Sequence, residues 1–247
     1  MTDRQDTLGV PLGKPLEEAA VQEFAATFHG ELIRPQDDGY DAARAVFNAM
    51  IDRRPALIAR CTGVADVAAA VNFARENELV VAVRGGGHSV PGYATCDGGI
   101  VIDLSPMKGI WVDPEARTAR AQAGLTWGEF DRETQHFGLA VTGGRVTHTG
   151  IAGQTLGSGS GWLERKYGLT CDNLLSAEVV TANGEFLKAS EKENEDLFWG
   201  LRGGGATSAS SLPWSSGYTP WDQSCWVACS CTPSPGPKSS CASGATT

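Results

Sequence analysis

Apolar and polar positions along this chain follow two periods, and the switches between them mark its elements. From Val64 to Arg75 (Val-Ala-Asp-Val-Ala-Ala-Ala-Val-Asn-Phe-Ala-Arg) apolar residues recur at helical spacing. On either side lie short apolar runs, Ala56–Arg60 and Leu79–Val83, whose β-branched residues favour buried strands. Residues 56–83 therefore read as strand, helix and strand, with the two strands parallel. Upstream, 15–29 has helical period with Pro15 in the first turn. Tyr40–Ile51 reads as a second helix or an irregular segment that ends before Asp52-Arg53-Arg54-Pro55.

Downstream, Gly99–Leu104 is expected to be a strand, and 109–113 and 118–122 alternate like a hairpin around Pro114-Glu115. Thr126–Phe137 reads as a helix, with Thr126 as N-cap and Glu129 three residues on, the pattern of a capping box. Ala177–Thr181 is a strand, and Asn183-Gly184 predicts a type I′ hairpin turn before Phe186-Leu187-Lys188. Asp196–Arg202 reads as a short helix ended by Gly203.

Two glycine-rich segments interrupt this pattern. Arg84-Gly85-Gly86-Gly87-His88-Ser89 directly follows the strand at 79–83. Three glycines clear the turn of side chains and permit positive φ. Exposed backbone N–H groups in such a turn form a concave site for an anion, most often a phosphate, with Arg84 and the Ser89 hydroxyl at its edges. A plain turn between two strands has the same composition. A dinucleotide fingerprint of the Rossmann kind needs a long apolar helix after its last glycine, and Pro91-Gly92 stands there instead. That disfavours a nicotinamide-dependent dehydrogenase; a Gly-Lys-Ser/Thr phosphate loop is absent as well. The second segment, Gly143–Trp162, has small residues at a density that suits close packing against a flat ligand or a flexible linker. Its interleaved apolar residues weigh against the linker.

Composition narrows the field further. A net charge of −9 argues against binding a nucleic-acid backbone, and no run reaches the length of a membrane span. Met1–Lys14 lacks the apolar segment of a secretory signal. Cys61, Cys96 and Cys171 stand singly, while Cys225, Cys229, Cys231 and Cys241 crowd the end of the chain. The seven cysteines show neither zinc-ligand spacing with histidines nor an even disulfide set, so a cytoplasmic protein with reduced thiols and no metal site is expected.

The motifs together resemble one family. Arg84-Gly-Gly-Gly-His-Ser, Ile102-Asp-Leu-Ser, Thr149-Gly with the glycines after it, Trp162-Leu-x-Arg-Lys-Tyr-Gly-Leu, Asp172-Asn-Leu-Leu-Ser-Ala-Glu-Val-Val-Thr-Ala-x-Gly and Asp196-Leu-Phe-Trp-Gly-Leu-Arg-Gly-Gly-Gly occur in the order found in FAD-linked oxidases of the p-cresol methylhydroxylase / vanillyl-alcohol oxidase type. The resemblance is nearest the berberine-bridge and hydroxynicotine oxidase branch and runs from about Phe28 to Gly205. It implies an α+β fold of two subdomains with FAD extended between them. It further implies that Gly85, Gly86, Gly87 and Ser89 hold the pyrophosphate, with Arg84 beside them, and that His88 is bonded to the flavin 8α-methyl. A loop histidine that only braces the turn is the plainer alternative for His88. Thr149, Gly150, Gly153, Gly157 and Gly161 are implied to line the isoalloxazine and ribityl chain. Val179 would lie near the adenine end, although a core strand explains it equally well.

Two departures from the family pattern bear on the cofactor. Val146 stands where many relatives carry a second flavin-linking cysteine, so at most a single histidyl bond is expected. Ser158 and Ser160 stand in a segment where relatives have glycines; their side chains either crowd the backbone approach or point away. No partner spacing gives His136 or His148 a role in catalysis, which leaves both to surface or turn positions.

After Gly205 the composition changes. Residues 206–247 are rich in Ser, Pro, Cys and Trp and lack Phe, Ile, Glu and Arg, the signature of a disordered segment. Permitted codons for Ala206–Ser211, read one nucleotide earlier, encode Gly-Asn-Phe-Gly-Val-Val, the continuation the family would show. A frameshift near 203–206 is therefore expected, with loss of strand pairing and an exposed sheet edge. The expected organisation is a helical lead-in over 1–50, an FAD-binding domain over 51–205 split near 115, and an aberrant tail over 206–247. The implied function is an FAD-dependent oxidase that passes hydride from a substrate C–H to flavin N5, with molecular oxygen as acceptor and a small molecule as substrate. The alternative is a non-catalytic flavin-binding fragment. No catalytic residue can be named.

Overall fold

The computed structural model of the protein describes residues 16–205 and the backbone of 225–231. The first sheet is built from β1 (Glu31–Ile33), β2 (Leu57–Arg60), β3 (Val81–Arg84) and β4 (Ile100–Asp103), in the order β1-β2-β4-β3. β2, β4 and β3 run parallel, and β1 pairs antiparallel with β2. The predicted strand-helix-strand unit is present, but its two strands are not neighbours: Leu57 and Val81 both lie opposite Ile100, on either side of β4. All four residues of β4 are buried, as a central parallel strand requires.

Three helices belong to this half: α1 (Glu18–Thr27), α2 (Tyr40–Arg44) and α3 (Val64–Glu76). The Phe24 and Phe73 rings stack at 4.3 Å, joining α1 to α3. Val21, Phe24 and Phe28 share one core with Leu57, Ile100 and Ile102. Residues 16–32 of the predicted lead-in thus pack into the first core, while Ile33 and Tyr40 join Ile58 and Val101 in a separate cluster.

The second sheet contains β5 (Ile110–Asp113), β6 (Thr118–Gln122), β7 (Leu174–Val180), β8 (Phe186–Ser190) and β9 (Cys225–Cys231), in the order β5-β6-β9-β7-β8 and antiparallel throughout. Helices α4 (Trp127–Gln135) and, further on, α7 (Glu195–Leu201) bury Trp127, Phe130, Phe198 and Leu201 in its core. Val180 joins the first core instead, and Arg75 of α3 donates to the Asn183 carbonyl at 2.6 Å, so α3 touches both sheets. Between α4 and β7 run α5 (Ile151–Leu156), α6 (Glu164–Tyr167) and a 3₁₀ turn at Thr170–Asn173.

Three expectations change. The division between sheets falls at 104–109 rather than near 115, because the hairpin of β5 and β6 pairs within itself, Ile110 opposite Ala121. The hairpin after β7 forms, but not as a type I′ turn. Gly184 donates to the Thr181 carbonyl at 2.9 Å and itself takes φ +78°, with Asn183 at negative φ. That is a type I turn followed by a glycine bulge. Finally, the slot between β6 and β7 is filled by Cys225–Cys231, where an open edge was expected. Ladder bonds use backbone groups that any proline-free stretch supplies, and these seven residues contain no proline. The rest of the expected tail, 206–224 and 232–247, lies outside the described residues.

Candidate functional site

The glycine loop begins where β3 ends, at the edge of the first sheet, and meets the second glycine-rich segment head on. A Cβ on Gly86 would stand 2.2 Å from Gly150 N, and one on Gly150 would stand 2.4 Å from Gly86 N. Both positions are glycine because the two chains pass backbone against backbone, not because a ligand occupies the space. A Cβ on Gly85 would stand 3.0 Å from the Ala123 carbonyl, and Gly87 turns the chain at φ +70° while its carbonyl accepts from Phe47 N–H at 3.1 Å. No backbone N–H from Gly85 to Val90 donates to another group among the described residues. The Ser89 hydroxyl oxygen accepts from Tyr93 N–H at 3.0 Å, which leaves its proton to donate. Such a run of N–H donors, unpaired among the described residues, has the hydrogen-bonding capacity to meet an anion.

Arg84 does not stand at its edge. It is only 8% exposed, and its guanidinium donates to Asp103 Oδ2 at 2.8 Å and to the Ala43 and Ala45 carbonyls. These bonds tie β3 to β4 and to the C-terminal end of α2. Asp103 also receives Ser105 N–H and Oγ.

His88 projects from the loop with its imidazole held on three sides. The Phe47 ring stacks on it at 4.2 Å and 10°. Thr149 Oγ1 lies 3.5 Å from its Nδ1, and His148 Nδ1 lies 2.6 Å from its Nε2. Burial, and then the neighbouring His148, hold the His88 pKa below the usual imidazole value. Met50, Val90 and Tyr93 are exposed, and Asn48 Nδ2 donates to the Val90 carbonyl at 3.0 Å. His148 is exposed and lies in a turn, where the sequence reading puts it, and it is also a neighbour of His88 across 60 residues of chain. Phe47 escaped the sequence reading altogether.

The remaining predicted positions divide. Gly153 and Gly157, one turn apart at α5, are exposed, and a Cβ on Gly153 would meet nothing within 4 Å. They present a bare helical face beside Thr149. Gln154, next to Gly153, donates from Nε2 to the Ser160 carbonyl at 3.0 Å, while its Oε1 is buried without a partner among the described residues. Gly161 is buried, and a Cβ there would stand 2.0 Å from the Gly143 carbonyl, so it serves chain packing. Val179 is fully buried in the second core, the position a plain core strand would give it. Ser160 points into a polar cluster, donating to Glu164 at 2.5 Å and accepting from Arg145 at 2.9 Å. Ser158 takes φ +78°, a left-handed conformation disfavoured for a side chain.

The family of the description "FAD binding domain" matches residues 55–190, and the chain belongs to it. Among curated relatives, (R)-6-hydroxynicotine oxidase of Paenarthrobacter nicotinovorans is 43% identical over 179 residues, 72% of this chain and 39% of the relative. An FAD-linked oxidoreductase of Dictyostelium discoideum is 38% identical over 187 residues, 75% of this chain and 41% of its own length. The solved structure of 6-hydroxy-D-nicotine oxidase from Arthrobacter nicotinovorans superposes with a TM-score of 0.76 at 37% identity, covering 83% of this chain and 42% of that one. Glucooligosaccharide oxidase from Acremonium strictum, described with a 6-S-cysteinyl, 8α-N1-histidyl FAD, gives 0.75 at 30% identity over 86% of this chain and 42% of that one. The chain thus spans about two fifths of the length of these relatives. FAD is the cofactor of the family, and the residues present fit it: unpaired N–H donors suit a diphosphate, a bare face at Gly153 and Gly157 suits a flat ring, and the orphaned Gln154 Oε1 suits a hydroxyl or N–H donor. Among the described residues no cluster could hold a metal ion, and no helix is long and apolar enough to cross a membrane.

Proposed function

We propose that this chain is the FAD-holding part of an FAD-linked oxidase. The observation that carries the reading is the loop Gly85–Val90, whose N–H groups have no partner among the described residues and which carries an imidazole braced by His148 and Thr149. In this reading Gly85, Gly86, Gly87 and Ser89 bind the pyrophosphate through backbone and hydroxyl donors. His88 bonds to the flavin edge, Thr149, Gly150, Gly153 and Gly157 flank the ring and ribityl chain, and Arg84 and Gly161 hold the scaffold that aims them. Bound FAD supplies a two-electron acceptor that takes hydride from the C–H of a small-molecule substrate and passes the electrons to oxygen. No described side chain is placed as the substrate's catalytic base.

The test is the visible spectrum of the purified chain, followed by assay with the oxidases' substrate classes. Flavin absorption near one equivalent per chain supports the cofactor assignment. Turnover with peroxide release supports the oxidase, and flavin without turnover supports the alternative of a non-catalytic flavin-binding fragment. A colourless protein that takes up no added FAD overturns the proposal.

A further inference from the structure

His148 has no part in the reading above, yet it is the closest polar group to His88. Two ring nitrogens 2.6 Å apart share one proton between them, because two N–H groups at that distance repel and two lone pairs do not bond. With both rings neutral there are two placements. If His148 Nδ1 donates, the His88 lone pair faces His148 and its own proton sits on Nδ1, so no nucleophilic nitrogen faces outward. If His88 Nε2–H donates, Nδ1 keeps its lone pair, with the Thr149 hydroxyl beside it at 3.5 Å. The lowered pKa of His88 favours a neutral ring in either case. Phe47, stacked flat on the imidazole, prevents the ring from turning edge for edge.

We propose that His148 is a positioning residue for attachment of flavin to His88: its Nδ1 accepts from His88 Nε2–H, presents Nδ1 as the bond-forming nitrogen, and takes up the Nε2 proton as the bond forms. This rests on the FAD reading of the site. A C–H of the flavin 8α-methyl breaks and its proton leaves to solvent. A bond forms from His88 Nδ1 to that carbon, the Nε2 proton passes to His148, and two electrons enter the ring system. Dioxygen then removes the electron pair with two protons as hydrogen peroxide. Without His148, the alkylated imidazole is left as a cation in a half-buried site.

The experiment incubates the apo full chain with FAD in air and follows flavin retained in the acid-precipitated pellet over time. It compares wild type, His148→Ala, His148→Gln and His88→Ala. The expected results are a yellow wild-type pellet with the added mass on His88 and none for His88→Ala. Attachment in His148→Ala should be about 100-fold slower, with flavin released to the supernatant and partial recovery on adding free imidazole. His148→Gln, which can accept the hydrogen bond but not the proton, should fall between. Wild-type rates in His148→Ala, or slow attachment that imidazole does not speed, overturn the inference. An acid-labile flavin in wild type overturns it too while leaving the FAD reading intact; no flavin at all overturns both.

Discussion

Gly86 and Gly150 touch backbone to backbone, and this contact joins the two halves of the candidate site. A methyl on either would fall 2.2–2.4 Å from the other's amide nitrogen, inside any allowed contact. Gly86→Ala must therefore push the loop away from residues 149–150, and with it His88 from Thr149 and His148. The expected cost is about 3 kcal/mol of stability, read as a lower urea midpoint, together with loss of FAD uptake.

Ser158 tests the opposite sign. Its φ of +78° is left-handed, where a side chain costs about 1 kcal/mol relative to glycine. Its hydroxyl makes no hydrogen bond among the described residues. Ser158→Gly should raise stability by about 1 kcal/mol, measured by urea denaturation, whereas Gly159→Ala, at φ +76° and with Thr170 Oγ1 only 2.2 Å from the new methyl, should lower it.

The ion pair between Arg84 and Asp103 is buried on both sides. Asp103→Asn leaves the guanidinium without its counter-charge and should cost about 3 kcal/mol. The combined change Arg84→Met with Asp103→Leu should recover part of that loss, because no buried charge is then left unpaired. A denaturation cycle over the four proteins reads both terms.

His88 gives a pH signature. Its folded-state pKa is depressed by burial and by His148, so the unfolded chain binds this proton more tightly than the folded one. Its contribution to stability is whole above the usual imidazole value of 6.5 and declines as pH falls below it toward the folded pKa. Unfolding midpoints of wild type should drop more steeply than those of His88→Asn between pH 6.5 and about pH 5. In a histidine NMR titration, His148→Ala should move the His88 pKa upward.

Much of this was legible in the sequence because local forces set it. The helix from Val64 follows its apolar spacing, and the start of α4 follows Thr126 and Glu129, whose bonds at 2.8 and 2.9 Å are present. Long-range pairing was not legible. Nothing in Ile100–Asp103 says that it lies between β2 and β3, since parallel neighbours are chosen by the whole sheet. Helix α5 was hidden because Ile-Ala-Gly-Gln-Thr-Leu has weak helical propensity; tertiary packing and the Thr155 hydroxyl bond to the Ile151 carbonyl, 2.7 Å, hold it. The glycine loop itself was visible in the composition, but the partner of Arg84 and the neighbour of His88 depend on where distant loops fold.

The most direct test of the central claim is an amide NMR titration of the chain with FAD, following the N–H resonances of Gly85 to Ser89. These donors have no partner in the described structure, so the account predicts that they move downfield together as they bond to phosphate, with saturation at one equivalent. FAD that binds while these amides stay in place, or a chain that leaves FAD free in solution, would contradict it.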